Sequence, residues 1–272
     1  MASRKTPGKK DLHPNMGIGS ILAIFLMNLT VYPFLILWTL SSIAMFPAAF
    51  LVWKAGTRWT AERIVRHFIW IYGRGWIAIL SPFVRFGRKG LEAVKPLQPV
   101  ILVVNHLSFF DTYCMALLPF HNVAFAIRSW PFRMYCYTPF MRLANYLNVE
   151  GLKWETASRL AREILERGGN TLFFPEGHRS RDGSLGRFYS GAFLLAMETG
   201  RPIVPMVISG TDTLLPPNRW WLKPARILLE ALPPVDPKFF SGSGAHIDLK
   251  KAVKEAIHNR LMEIRSVSCK SL

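Results

Sequence analysis

A run of 37 consecutive residues without a charged side chain, from Gly17 to Trp53, constrains this sequence more than any other feature. The hydrocarbon core of a bilayer is about 30 Å thick and is crossed by about 20 helical residues. One straight helix of this length would extend about 55 Å, which is too long for a simple span. Pro33 and Pro47 lie inside the run, and proline interrupts α-helices, so shorter helical pieces are expected.

Basic residues stand on both sides of this run. Residues 1–16 contain four Lys or Arg, and Lys54 and Arg58 follow the run directly. Flanking positive charge favours the cytoplasmic side, so both ends are expected there. We therefore predict a basic flexible tail over 1–16 and a membrane-embedded helical hairpin over 17–54, with the domain that follows on the cytoplasmic face. A single tilted span and a hairpin seated in one leaflet are the alternatives.

The next segment, residues 57–80, has the periodicity of an amphipathic helix. Its apolar positions share one face, while Arg58, Arg63, Arg66 and Arg74 gather on the other. A basic face suits an interfacial helix under anionic lipid headgroups, and we assign the segment to that class. An ordinary amphipathic helix packed on the domain has the same pattern and is the alternative, and the two arrangements can coexist.

The net charge of +17, from 34 basic and 17 acidic residues, points to an anionic partner. A membrane surface, a phosphorylated substrate and nucleic acid would all satisfy that charge. Nucleic acid is not expected as a partner, because the positive charge flanks apolar segments and no recognition motif is present.

After the long helical region the pattern changes to that of an α/β domain, assigned to residues 55–272. Short, continuous apolar runs predict strands that are covered on both faces. These runs are residues 100–104, 171–174, 203–208 and 226–231. Helical patterns lie between and after them, at about 109–118, 155–167, 190–199 and 248–265. Strands that alternate with helices predict an α/β fold with a largely parallel sheet.

The stretch "NHLSFFD" follows the first of these strands and carries His106 and Asp111. The carboxyl ends of strands are where open α/β sheets bind ligands. His106 there has the chemistry of a general base, with Asp111 to orient its ring. Ser108, three residues before Asp111, has the spacing of a capping box, so a capped helix without catalytic purpose is the alternative. A covalent role for Ser108 is not favoured.

A second stretch, "FPEGHRSRDGS", ends another predicted strand in a basic loop. Gly177 would let backbone approach a ligand, Arg179 would grip a phosphate, and Glu176 would orient Arg179 or meet substrate hydroxyls. Arg181 or Arg187 would add charge. The alternative is a solvated turn. A third stretch, "RPIVPMVISG", reads as a buried strand or as one wall of an acyl-chain groove.

Together the three stretches resemble the PlsC-type lysophospholipid and glycerolipid acyltransferases, which carry a His-x4-Asp motif. The resemblance covers about residues 70–235. It implies a glycerolipid-acyltransferase-like αβ domain with an N-terminal helical pair, and a role in phospholipid biosynthesis. His106 would be the general base, Asp111 its partner, and Pro205 part of the acyl-donor region. The acceptor-binding residues would be Glu176, Gly177, Arg179, Ser180 and Arg128.

The family reaction transfers a fatty acyl group from acyl-CoA or acyl-carrier protein to the free hydroxyl of a lysophospholipid such as 1-acyl-glycerol-3-phosphate. Neither a metal nor a cofactor beyond that co-substrate is expected. One family Arg is replaced near Gly151, where Lys153 or Arg128 would have to substitute, and His178 stands in place of a Thr. These departures keep open another lysolipid head group, an amino-acid lipid, or a non-catalytic membrane-binding homologue.

Overall fold

The computed structural model describes residues 17–135, 137–180 and 183–270, so the predicted tail over 1–16 lies outside the described residues. Within these ranges the α-helices are α1 (Ile18–Gly56), α2 (Ala61–Leu80), α3 (Asp111–Cys114), α4 (Thr138–Leu143), α5 (Trp154–Glu166), α6 (Gly191–Thr199), α7 (Thr211–Leu214) and α8 (Ala245–Lys270). The strands are β1 (Val84–Lys89), β2 (Ile101–Val104), β3 (Val123–Ile127), β4 (Leu147–Asn148), β5 (Asn170–Phe173), β6 (Ile203–Ser209) and β7 (Ala225–Ala231).

The described strands form one sheet in the order β1-β7-β6-β2-β5-β3-β4. Each neighbouring pair is parallel except β6 and β7. The predicted α/β class with a largely parallel sheet is therefore confirmed, and the four predicted strands are β2, β5, β6 and β7. Three strands were not predicted: β1, which is rich in basic residues, the short apolar run that forms β3, and the two-residue strand β4.

Helices cover both faces of the sheet, which explains why β2, β5 and β6 are buried at every position. Side chains alternate along β2, so that Leu102 and Val104 enter the core under α1, α2 and α3. Ile101 and Val103 enter the opposite core, under α5, α6 and α8. The two layers therefore have separate hydrophobic cores, and the first contains the long apolar helix.

The prediction of a helical hairpin within residues 17–54 is wrong, because α1 is one continuous helix of 39 residues that contains both Pro33 and Pro47. No glycine occurs between Gly19 and Gly56, so the segment has no residue suited to a tight reversal. The helical pair is instead formed by α1 and α2. The Trp38 indole donates to the carbonyl of Tyr72 at 2.9 Å and lies where a Cβ on Gly75 would stand.

The assignment of residues 57–80 as an interfacial helix is also wrong. Helix α2 lies between α1 and the sheet, and only Arg74 and Ala78 within it are exposed. Arg66, on the face expected to meet lipid headgroups, is 4% exposed and donates to the carbonyl of Ala144 and to the side chain of Asn122. The alternative of a packed amphipathic helix is therefore correct.

Helix α1 provides the outer surface that α2 was expected to provide. Its inner side packs on the domain through Met27, Val31 and Leu35, while the rest is apolar and exposed, as at Leu40 and Leu51. It is long and apolar enough to cross a membrane, and only 17% of its most apolar window is buried. Such a large apolar surface is suited to lipid contact, which indicates membrane association.

Candidate active site

The two motif stretches meet because their strands are neighbours. Strand β2 pairs in parallel with β5, so both strands end at the same edge of the sheet. His106 follows β2 there, and the loop 174–180 follows β5. The imidazole ring of His106 stacks on Phe174, with ring centroids 4.4 Å apart.

His106 and Asp111 form a hydrogen-bonded pair. The His106 Nδ1 atom lies 2.8 Å from Asp111 Oδ2; the Asp111 side chain is fully buried and that of His106 is 18% exposed. Asp111 Oδ2 also accepts the backbone N–H groups of Leu107 and Ser108, at 2.6 and 2.8 Å. A carboxylate oxygen can only accept hydrogen bonds, so the ring nitrogen that faces it must be the donor. The proton of neutral His106 therefore resides on Nδ1. Nε2 is then the free base.

Only one of the two hydrogen bonds of the predicted capping box is present among the described residues. Asp111 accepts the backbone N–H of Ser108, but the Ser108 hydroxyl donates to the carbonyl of Leu215 at 2.6 Å. Helix α3 begins at Asp111 and is a single turn long. The turn between His106 and Asp111 therefore brings the two side chains together, so the capping arrangement and the His–Asp pair are the same structure.

Glu176 joins two backbone segments, the one that carries His106 and the one that carries Gly186. Its Oε1 accepts the N–H of His106 at 2.8 Å, and its Oε2 accepts the N–H of Gly186 at 2.7 Å. The carboxyl is buried, and its pKa is raised above the usual value because burial outweighs these two hydrogen bonds, which lower it. Ser180 completes the arrangement by donating its N–H to the His106 carbonyl at 2.8 Å. Glu176 and Ser180 thus fix the position of His106 through its main chain.

Gly177 has φ of +68°, a conformation that side chains disfavour. A Cβ there would also lie 2.9 Å from the ring of Tyr189. The glycine is therefore required by its own backbone and by a neighbouring ring, and it also lines the cavity described next.

A cavity of about 520 Å³ opens beside His106. One end is polar and basic, lined by His106, Arg128, His178 and Arg179. The cavity continues between the two helices of the pair and is lined there mainly by apolar and aromatic groups, which include Ile43 of α1, Phe68, Ile69 and Tyr72 of α2, and Phe140 and Met141 of α4. This arrangement has a charged mouth and an apolar body.

The predicted basic residues differ in their positions. Arg179 is exposed at the cavity, while Arg128 lines it, forms an ion pair with Glu150 and reaches the Gly177 carbonyl at 3.5 Å. Lys153, proposed as a substitute for the family Arg, is exposed and does not line the cavity.

Of the two further arginines expected to add charge, Arg187 is exposed outside the cavity lining, and Arg181 lies outside the described residues. Gly151 stands where the family Arg was expected. It donates its N–H to the Asn148 side chain at 2.8 Å and does not line the cavity. Arg128 does line the cavity, and its role as a substitute for the family Arg stays a prediction.

Pro205 lies in the middle of β6, paired with Val103, and is buried. It does not line the cavity, so of the two interpretations of its stretch the geometry supports the buried strand, and a part in donor binding stays a prediction. One residue with a structural role was not singled out by sequence. Asn105 exchanges two hydrogen bonds with the backbone of Ile208, at 2.8 and 2.9 Å, and joins the end of β2 to β6.

The fold and this site define an α/β protein with a hydrogen-bonded histidine–aspartate pair at a strand end, an apolar cavity, and a membrane-associating helix that forms part of the cavity wall. The sequence profile of the Acyltransferase family matches residues 85–209. A crystal structure of the 1-acyl-sn-glycerophosphate acyltransferase PlsC from Thermotoga maritima is similar, with a TM-score of 0.73 and 26% identity, over 89% of this chain and 98% of that one.

Curated relatives point the same way. The chain is 30% identical to mouse 1-acyl-sn-glycerol-3-phosphate acyltransferase alpha over 70% of its own length and 67% of the relative. It is 29% identical to the chloroplastic acyltransferase BAT2 of Brassica napus over 74% of its length, and 34% identical to LPAT1 of Arabidopsis thaliana over 57%. It spans about half the length of these two plant relatives, 52% and 44%. The chain belongs to the PlsC-type lysophospholipid and glycerolipid acyltransferase family.

Proposed function

We propose that this protein transfers a fatty acyl group from a thioester donor, acyl-CoA or acyl-carrier protein, to the free hydroxyl of 1-acyl-glycerol-3-phosphate at a membrane surface. The observation that carries the proposal is the His106–Asp111 pair at the basic mouth of an apolar cavity. Relatives named for this reaction support it.

His106 acts as the general base. Its Nε2 removes the proton of the acceptor hydroxyl while the hydroxyl oxygen attacks the thioester carbonyl. The Nδ1 proton stays in its hydrogen bond to Asp111, whose negative charge stabilises the imidazolium that forms. Collapse of the tetrahedral intermediate breaks the C–S bond, and His106 returns the proton to the sulfur. One C–O bond replaces one C–S bond, so no further reactant is needed.

The cavity supports this chemistry in two ways. Its apolar body, lined by Phe68 and Phe140, provides space for an acyl chain, and an apolar site limits the water that would hydrolyse the thioester. The guanidinium of Arg179 supplies positive charge at the mouth, where a phosphate would lie beside His106. Glu176 serves as a positioning residue, since its oxygens already accept backbone groups.

The packing of α1 supports a position within one leaflet. Domain residues contact its inner side from Met27 to Trp53, a length of about 39 Å. This exceeds a hydrocarbon core of about 30 Å, so a transverse helix would carry the domain into the membrane. An in-plane helix with its outer face in lipid avoids that cost. The basic residues that flank α1 favour the cytoplasmic leaflet.

A panel of acceptors tests the proposal. Purified full-length protein in detergent would be given labelled acyl-CoA or acyl-carrier protein and a set of lysolipids, with products identified by mass spectrometry. We expect phosphatidic acid to form from 1-acyl-glycerol-3-phosphate with at least one of the two donors. Absence of acylated product with every acceptor and both donors would contradict the proposed activity.

One observation favours a second candidate acceptor. The carboxylate of Glu150 pairs with Arg128 beside the cavity, which offsets part of the positive charge there. A carboxylate at that position would suit a lysolipid whose head group carries a cationic amine. The same panel separates the two acceptors, since a zwitterionic or amino-acid lysolipid would then outcompete 1-acyl-glycerol-3-phosphate in a mixture.

A further inference from the structure

The segment 215–223, which joins α7 to β7 and is called the Trp loop below, exposes two adjacent indoles. Trp220 is 77% exposed and Trp221 is 40% exposed, and their rings meet edge to face with centroids 5.8 Å apart. Tryptophan is a costly residue to leave in water, because it presents a large apolar surface. The reaction proposed above uses neither indole.

The loop is held in place by Arg219. Its guanidinium donates to the carbonyls of Thr213 and Leu214, at 2.6 and 2.7 Å, and its Nε donates to the Trp221 carbonyl at 2.8 Å. The same group lies 5.8 Å from the centroid of the Trp221 ring. The indoles therefore project from a segment whose backbone is fixed.

Three hydrogen bonds fasten the Trp loop to α1. The Asn28 side chain both donates to and accepts from the backbone of Leu222, at 2.9 and 2.8 Å, and the Tyr32 hydroxyl donates to the Trp220 carbonyl. Asn28 is the only carboxamide side chain of α1, and the backbone of this loop both accepts from it and donates to it. Leu29, next to Asn28, is 57% exposed. The exposed surface of the loop is thus continuous with the apolar surface of α1.

The other end of the loop reaches the active site. The Leu215 carbonyl accepts the hydroxyl of Ser108, two residues from the base, at 2.6 Å. Pro217 and Asn218 line the cavity beside His106. A few residues of one ordered segment therefore connect the rim of the cavity with the outer surface of α1.

We propose that the Trp loop is a second membrane-docking element, in which Trp220 and Trp221 insert into the interfacial layer of the bilayer beside α1. Indoles favour that layer, where the ring is in an apolar region and the N–H is hydrated. Because the same segment forms part of the cavity rim, insertion holds the mouth of the cavity at the level of the lipid head groups. A lipid acceptor then enters without leaving the membrane, a consequence that rests on the proposed function.

Fluorescence quenching tests the insertion without any turnover. The full chain would be bound to phosphatidylcholine–phosphatidylglycerol vesicles that carry lipids brominated at a shallow or a deep acyl position. The chain has nine tryptophans, so the emission of Trp220 is the difference between wild type and Trp220→Phe. We expect that difference to be quenched, more by the shallow bromine. A difference that neither bromine quenches would overturn the insertion, including the case in which a second copy of the chain covers the loop.

Kinetics test the consequence for the cavity mouth. Trp220→Ser should raise the apparent KM for acceptor presented in vesicles by about 10-fold or more, with unchanged kcat and unchanged KM for a monomeric short-chain acceptor. Phe239→Ser is the control, because Phe239 is 86% exposed beside Phe240, which packs in the opposite layer. An equal effect on both acceptors, or none on the vesicle acceptor, would contradict the role of the loop. Inactive wild type with normal quenching would count against the proposed function alone.

Discussion

The protein contains two histidine sites that differ in their neighbours. His106 follows a strand, is paired with a buried carboxylate, and faces a cavity. His67 of α2 and His121 lie with ring centroids 4.4 Å apart, and Trp59 lies 4.8 Å from His121. No carboxylate hydrogen bond to either ring is present among the described residues.

The two sites differ in whether their surroundings stabilise a protonated imidazole. Burial, and then the nearby Arg63, lower the pKa of His67. Burial, His67 and Arg63 lower the pKa of His121 to about 4. The pair therefore stays neutral and serves for packing, with one ring nitrogen of each unpartnered. His106 has an anion ready to stabilise its charged form. A carboxylate partner therefore distinguishes the proposed base from the two packing histidines.

The largest effect is expected at the base. His106→Ala should lower kcat by about 10²- to 10⁴-fold, because the acceptor hydroxyl then loses its proton acceptor. Rates would be measured with saturating acyl donor and lysophosphatidate in detergent. His121→Phe is the matched control, since it removes an imidazole that has no part in the cavity, and its kcat should equal that of wild type. Near-normal turnover by His106→Ala would remove the distinction between the two sites.

Asp111→Asn should have the next largest effect. The substitution keeps the size of the side chain but removes the charge that stabilises the imidazolium. A hydrogen bond to a charged group contributes about 1.5–3 kcal/mol, which corresponds to a decrease in kcat of about 10- to 150-fold. Asp212→Asn is the control, because Asp212 pairs with Arg265 at 3.6 Å away from the dyad. If the two variants turn over equally fast, the negative charge of Asp111 is irrelevant to the reaction.

Glu176→Gln tests a further difference between the two histidine sites, because a buried carboxylate fixes the backbone of His106. Gln has one acceptor oxygen where Glu176 has two, so an N–H of His106 or Gly186 loses its partner, at a cost of about 1–3 kcal/mol. Each kcal/mol lowers the Tm by about 2–4 °C in a domain of this size.

Turnover separates a positioning role from a purely structural one in the Glu176 experiment. Glu230→Gln is the control, since Glu230 is also a buried carboxylate, with Lys89 and Arg260 as partners far from the dyad. Both variants should melt earlier, but only Glu176→Gln should lower kcat. Equal kcat values in the two variants would show that Glu176 contributes stability alone.

The parts of this structure that local sequence determines were predictable. The apolar runs of β2 and β5 and the spacing from His106 to Asp111 identified the strands and the dyad, because both depend on neighbours within a few residues. The packing of α2 was not predictable in this way. Its basic face suited lipid headgroups as well as it suited burial, and the burial of Arg66 depends on the carbonyl of Ala144, 78 residues away.

Dependence on contacts between distant residues also explains why the cavity wall was not predicted and why the predicted hairpin was wrong. Ile43 and Phe68 line the cavity together only because α2 returns along α1, which is a tertiary contact without a local signature. Prolines in α1 indicated a break, yet the helix passes through both of them. Proline removes one hydrogen bond per site, and in a helix packed on one side the remaining contacts offset that loss.

The smallest effect is expected at the second histidine site and concerns stability. An unfolded His121 takes up a proton near pH 6.5, whereas the folded one does so only near pH 4. The contribution of His121 to the stability of the folded protein is therefore fully present above pH 6.5 and is lost as the pH falls toward 4. His121→Phe keeps an aromatic ring beside Trp59 and removes this proton. Tm values measured from pH 8 to pH 4 in one detergent should therefore decrease less in the variant, with a difference that grows below pH 6.5 and is constant above it. Parallel Tm profiles over the whole range would mean that His121 titrates in the folded protein as it does in the unfolded chain.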